Sequence, residues 1–204
     1  MKIKFFFFFL TAQILFAQNA NEILKMVQTK FNSISSFSAN FSQTVTDNQG
    51  KPISKDNGKF IYKRKNKFIA DLRKSTIVSN GQSVWNFDKT NKKVVISTFF
   101  DDPTSFSIER FIFDYPALCR INYVKEESTE FEKVIRLIPK DELLDVSEIK
   151  IWINNSYLIS KLEIVDLLDI RFSFRFTDIL ENPEISESRF NFYPPKGTKI
   201  IDLR

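Results

Sequence analysis

The chain has 204 residues, 43% of them hydrophobic and 27% charged, with a formal net charge of +5. That is enough for one substantial core and too little charge for a dedicated nucleic-acid binder. With no histidine and one cysteine, His/Cys metal sites, Cys–His dyads and Ser-His-Asp triads are excluded, and the four glycines form no phosphate-cradling loop.

Lys2 and Lys4 precede an apolar run from Phe5 through Phe16 to the small residue Ala17. This pattern predicts a cleaved secretory signal peptide over 1–17, the run being shorter than the ~20 residues of a spanning helix. No cysteine stands after the cut to carry a lipid. The mature chain, 18–204, is therefore expected to be a free, single domain with 28 basic and 25 acidic residues, a balance of +3. Cys119, beside Leu118 and Ile121, reads as a small buried apolar residue.

Asn19 or Asn21 caps a predicted helix whose Ile23, Leu24, Val27 and Phe31 follow one-sided helical spacing. From Ser36 the period becomes two: Phe37, Ala39, Phe41 and Val45 alternate with polar residues. Asp47–Pro52 reads as a loop, followed by strands near 58–64, 67–73, 75–79 and 83–87. A basic cluster, Lys59, Lys63, Arg64, Lys65 and Lys67, is set among Phe60, Tyr62 and Phe68, and Asn80-Gly81 predicts a type I′ hairpin turn. The basic ribbon has the composition of a single-strand nucleic-acid surface, but a secreted chain meets membranes and envelope proteins instead, so no nucleic-acid partner is expected.

After a strand at 92–97, Asp101-Asp102-Pro103 predicts a helix start, continued by Phe106, Ile108, Phe111, Ile112 and Phe113 and stopped at Tyr115-Pro116. So apolar a short helix must be buried, like a lid over an open sheet face. Strands follow at 119–125, 131–138, 147–154, 157–165 and 168–177, with a turn at Asn154-Asn155-Ser156, and a last apolar pair at Ile200-Ile201. The acidic doublets Asp101-Asp102 and Glu126-Glu127 read as a helix cap and a solvated loop, so no enzyme, metal or cofactor is expected.

These periods predict a mainly β chain with a few helices. Its antiparallel sheet of about ten or eleven strands is too wide to stay flat, and it curls into a barrel-like shell whose concave side the helices cover. The interior, lined by Phe, Ile, Leu, Val, Trp85 and Trp152, is either a plain packed core or a ligand cavity; the sequence leaves both open.

Four segments, in order, resemble the LolA family of periplasmic lipoprotein carriers. They are Phe41-Ser42-Gln43, Gly58–Phe68, Ile77–Asp88 with its Asn80-Gly81 turn and Trp85, and the closing Phe190–Asp202. The set covers nearly the whole mature chain. The resemblance implies an incomplete, half-open barrel under a helical lid, holding acyl chains without catalysis in the periplasm of a Gram-negative bacterium. It implies acylated lipoproteins as cargo, an inner-membrane ABC transporter as donor, an outer-membrane acceptor, and a monomer. Arg64 falls where the family's arginine holds the lid closed, and Phe68 where a phenylalanine lies at the mouth and partner contact. The cavity residues expected on this reading are Phe41, Phe60, Trp85, Phe106, Ile112, Trp152, Phe172 and Phe174. Lys65 replaces the family's proline, and Ala70 stands where many members carry a large aromatic, which leaves cargo range and partner identity open. The alternatives are a carrier of another lipid on the same half-barrel, and an envelope sensor or scaffold that binds protein through the basic hairpin.

Overall fold

The computed structural model describes residues 20–99, 107–141 and 144–204. The expected signal segment, the Asp101-Asp102-Pro103 helix start and Phe106 lie outside the described residues. Helix α1 (Ala20–Ser33) buries Ala20, Ile23, Leu24, Val27 and Phe31, the stripe its spacing predicts. Among the described residues twelve strands then form one sheet: β1 (Ser36–Thr46), β2 (Pro52–Lys63), β3 (Lys67–Leu72), β4 (Ser75–Asn80), β5 (Ser83–Asp88), β6 (Lys93–Thr98), β7 (Cys119–Tyr123), β8 (Glu132–Pro139), β9 (Val146–Asn154), β10 (Ile159–Asp166), β11 (Arg171–Glu181) and β12 (Lys199–Asp202). Their spatial order is β12-β6-β5-β4-β3-β2-β1-β11-β10-β9-β8-β7. The sheet does not close, because β12 and β7 are its two edges. Its pairing is antiparallel except at one edge, where β12 joins β6 in parallel.

Each of two runs, β1–β6 and β7–β11, is a meander of sequential neighbours, and the β1–β11 pairing joins them. Inward positions alternate strictly along β11, where Phe172, Phe174 and Phe176 face β1 partners Val45, Gln43 and Phe41. Gly58 allows the tight β2–β3 crossing: a Cβ there would stand 1.9 Å from the Asp71 carbonyl oxygen, an impossible contact.

The two meanders treat their outer faces differently. Outside β8–β11 the polar positions form a lattice of ion pairs: Arg136–Glu148, Lys150–Glu127 at 2.6 Å, Lys161–Glu163 at 3.0 Å, and Arg171–Glu163. Burial raises the Glu163 carboxyl, but Lys161 and then Arg171 overcome that and hold it below its ordinary range. Outside β3–β6 the central positions are apolar, and the segment after β11 folds back over them. Ile185 and Phe190 pack with Ile69 and Val78, and Phe192 with Trp85 and Phe87.

The turns correct one expectation. Asn80-Gly81 is not a type I′ turn, since Gly81 (φ +88°) takes the left-handed conformation and Asn80 does not. Asn80 Oδ1 accepts the amides of Gln82 and Ser83 instead, at 2.9 and 2.8 Å, so the side chain organises the turn. Two consecutive left-handed residues occur at Lys65 and Asn66, in the basic turn. The helical segment over 108–118 also differs from its expected end. It passes Tyr115-Pro116 as a π-helical turn (Arg110–Asp114) followed by an α-helical turn (Tyr115–Leu118). Pro116 sits at the start of that last turn, where its missing N–H costs nothing.

Candidate functional site

The concave side divides into a packed end and an open end. Near the β2–β3 turn it is filled by rings: Phe31 lies 5.0 Å from Tyr62, Tyr62 stacks on Phe37 at 5.2 Å, and Phe60 meets Phe176 edge-on at 5.4 Å. Toward the opposite end the rings part and leave a cavity of about 400 Å³. Its floor is Phe41, Phe60, Phe68, Ala70, Leu72 and Phe174, all buried. The segment 108–118 roofs it with Phe111 and Tyr115, and Ile77, Val146, Ile164 and Phe172 form the half-buried wall. Among the described lining residues the polar side chains are Gln43, Asn86, Tyr115, Asp145 and Asp166. Thus the container is apolar at depth and polar at its rim. It offers non-directional affinity for hydrocarbon, with no nucleophile–base pair among the described residues that line it.

Of the eight residues expected to line a cavity, Phe41, Phe60, Phe172 and Phe174 are brought together on it. Ile112 is fully buried in the main core but off the cavity. Trp85 and Trp152 are on the outer face and correct the expectation. In β5 the inward positions are Val84 and Asn86, while Trp85 packs outward with Phe192. In β9 the inward positions are Ile149, Ile151 and Ile153, and Trp152 lies under the Lys161 ammonium at 3.9 Å. Phe68, expected at a mouth, is 3% exposed and stacks on Phe60 at 5.9 Å. It belongs to the floor, because its position in β3 shares the inward parity of Ala70 and Leu72.

Polar bonds fasten both the roof and the helix beside it. Arg64 Nε donates to the Ile34 carbonyl at 2.8 Å and Nη2 to the Asn32 carbonyl, so its guanidinium caps the carbonyl end of α1. Arg64 therefore fastens α1 rather than the 108–118 segment. That segment has its own anchor. Glu109 Oε1 accepts the Tyr62 hydroxyl at 2.6 Å and the Asn66 amide at 2.9 Å, and Ser107 Oγ donates to Asn66 Oδ1 at 2.7 Å. Burial, and then the bond to Glu109, push the Tyr62 hydroxyl well above its ordinary range and keep it a donor. Gln28 Nε2, donating to the Ile112 carbonyl at 2.9 Å, links α1 to the π-helical turn. Sequence reasoning missed Glu109, Asn66 and Ser107. The one signal for them was the left-handed preference of Asn at a turn position.

The basic ribbon is partly neutralised on the outer face. Lys63 and Lys67 both reach Glu187, at 2.8 and 2.6 Å, and Lys63 also donates to the Ile185 carbonyl at 2.9 Å.

Residues 32–193 match the family model of the outer membrane lipoprotein carrier protein LolA. The outer-membrane lipoprotein carrier protein of Serratia proteamaculans (strain 568) is 29% identical over 182 residues, covering 87% of each chain. The protein of the same name from Legionella pneumophila (strain Paris) is 26% identical over 189 residues, 91% of each. The same curled sheet occurs in an uncharacterized conserved protein from Thermus thermophilus, at 12% identity and a TM-score of 0.55, with 91% of this chain and 99% of that one covered. Among the described residues no helix is long and apolar enough to cross a membrane.

Proposed function

The chain belongs to the LolA family of outer membrane lipoprotein carrier proteins, and we propose that it is a periplasmic chaperone that holds lipoprotein acyl chains in the cavity behind β1–β4 and β9–β11. It receives them from an inner-membrane ABC transporter and hands them to an acceptor at the outer membrane. The observation that carries this reading is the apolar cavity of about 400 Å³ between an aromatic floor and a roof anchored through Glu109 and Ser107. Each acyl methylene left in water costs about 0.8 kcal/mol, so an acylated protein does not cross an aqueous space uncovered. The cavity lies toward the small end of the ~300–1,000 Å³ range of ligand pockets. It is smaller than three long acyl chains together, so loading a triacylated cargo moves the 108–118 segment outward. Arg64, bonded to the end of α1, and Glu109, on the 108–118 segment, set how far the closed form is favoured.

Native mass spectrometry of the protein purified from periplasm tests the reading. Triacylated polypeptide bound one to one is the expected result. Free phospholipid or glycolipid in its place would make the protein a carrier of unattached lipid. An empty chain that also fails to take up a hydrophobic dye saturably would overturn the carrier role.

A further inference from the structure

Two primary amides stand in the wall of the apolar cavity. Gln43 lies on the inward face of β1 between buried Phe41 and Val45, and Asn86 lies on the inward face of β5 beyond buried Val84. We propose that Gln43 and Asn86 determine specificity by donating hydrogen bonds to the carbonyl oxygens of acyl ester and acyl amide linkages, so that the cavity selects acyl chains joined through a carbonyl over plain hydrocarbon. This rests on the carrier reading, whose substrate class it narrows.

Each amide is set among apolar neighbours and is left unspent. Across the ladders Gln43 faces Phe174 and Asn86 faces Ile77, both of which line the same cavity. On its other side Gln43 faces Asp56, whose oxygens are taken by the backbone amides of Asn57 and Lys74. Neither the Gln43 nor the Asn86 side chain has a hydrogen-bond partner among the described residues. Gln43 is half-buried and Asn86 exposed, so solvent reaches both. Hydrocarbon drawn over them removes that solvent and returns no hydrogen bond, and a covered amide without a partner is unfavourable. A ligand whose carbonyls come to rest beside them returns the bond.

Their position matches the place where an acyl chain ends. β1 starts at the packed end, with Ser36 opposite Lys63, and Gln43 is the next inward position after Phe41 toward the open end. β5 starts at the packed end too, where Val84 faces Ser79 and Ser79 Oγ donates to the Asn66 carbonyl at 2.8 Å; Asn86 is the next inward position toward the open end. A chain lying on the floor with its tail toward the packed end therefore brings its carbonyl to the level of these amides. The other polar side chains of the lining suit a carbonyl less well. The carboxylates of Asp145 and Asp166 only accept, and Asp166 Oδ1 already takes the Leu168 and Ile170 amides, both at 2.8 Å. Tyr115 can donate, but it belongs to the roof, whereas Gln43 and Asn86 are N–H donors fixed to the sheet.

Calorimetric titration compares dioctanoyl phosphatidylcholine with its dioctyl ether analogue, which keeps chains and headgroup and lacks both carbonyls. The wild type is expected to bind the diester at least ~10-fold more tightly. Gln43→Leu combined with Asn86→Leu brings the two affinities within about 2-fold, chiefly by weakening the diester. A cysteinyl peptide carrying three octanoyl chains identifies the source of the carbonyl: binding tighter than the diester supports a lipoprotein linkage, binding weaker than the diester supports that of a free lipid, and in either case the double variant loses the advantage. A wild type that takes diester and diether equally well, a comparison that needs no variant to fold, overturns the proposal and leaves the carrier reading standing. So does a double variant that keeps the wild-type preference. Binding of none of the three ligands strikes the carrier reading, and the proposal with it.

Discussion

The Tyr62 hydroxyl donates to Glu109 Oε1 at 2.6 Å, joining a strand of the container to the segment that roofs it. The same oxygen takes the Asn66 amide, so one carboxyl group anchors the roof at the β2–β3 turn. Glu109→Ala is expected to cost about 1–3 kcal/mol, since the buried Tyr62 hydroxyl loses its acceptor. Hydrogen exchange should accelerate over residues 108–118 well before global unfolding. Unchanged exchange in that segment would show that the anchor is not what holds the roof.

Arg64→Leu removes both bonds to the carbonyl end of α1. On the proposed mechanism the closed, empty form loses its advantage, so cargo stays bound and its release is no longer favoured. The variant should co-purify with cargo and transfer lipoprotein to acceptor membranes several-fold more slowly than the wild type. Transfer at the normal rate would remove Arg64 from the mechanism.

Ala70 is buried on the cavity floor between the positions of Phe68 and Leu72. Ala70→Phe grows a ring into space that is already empty. Stability should therefore change by less than about 1 kcal/mol while the cavity loses room for hydrocarbon. A dye titration should show at least a several-fold loss of affinity with an unaltered unfolding midpoint. Equal affinity would place the ligand elsewhere.

The Glu187 carboxyl is held at about 2, below its ordinary 4.5, by bonds to Lys63 and then Lys67. A lowered native value means that the contribution is complete above pH 4.5 and is lost as the pH falls through about 2. The contact ties the segment after β11 to the β2–β3 hairpin, so amides of residues 185–192 should lose protection progressively across that window. Glu187→Gln should lack this step and show the looser segment already at neutral pH. A step that persists in the variant belongs to another group.

The curled sheet was legible because most strands carry one apolar face: Phe172, Phe174 and Phe176 read inward by alternation alone, and do lie inward. Where both faces are covered, alternation loses its meaning. Trp85 looked like an interior position, yet the returning chain packs on it and on Phe87 from outside and leaves Asn86 to face the cavity. Trp152 misled for a related reason, being sheltered by the Lys161 ammonium rather than by core. The roof's anchor was illegible because Glu109 and Asn66 meet across a distance in sequence that no periodicity reports. Arg64 could be placed by resemblance, but which helix it touches was a matter of geometry.

The seam between the meanders sets an order of events. Within each, every strand pairs with its neighbour in sequence, but β1 is completed on one side by β2 and on the other by β11, with Asn40 against Thr177. The first half can therefore assemble early while its leading strand keeps an unpaired edge, the kind of edge that invites aggregation. Only when β11 has been delivered does the container acquire a continuous wall. The long-range closure is expected to be the slow step of maturation, and the interval before it is when the newborn chain has most need of protection.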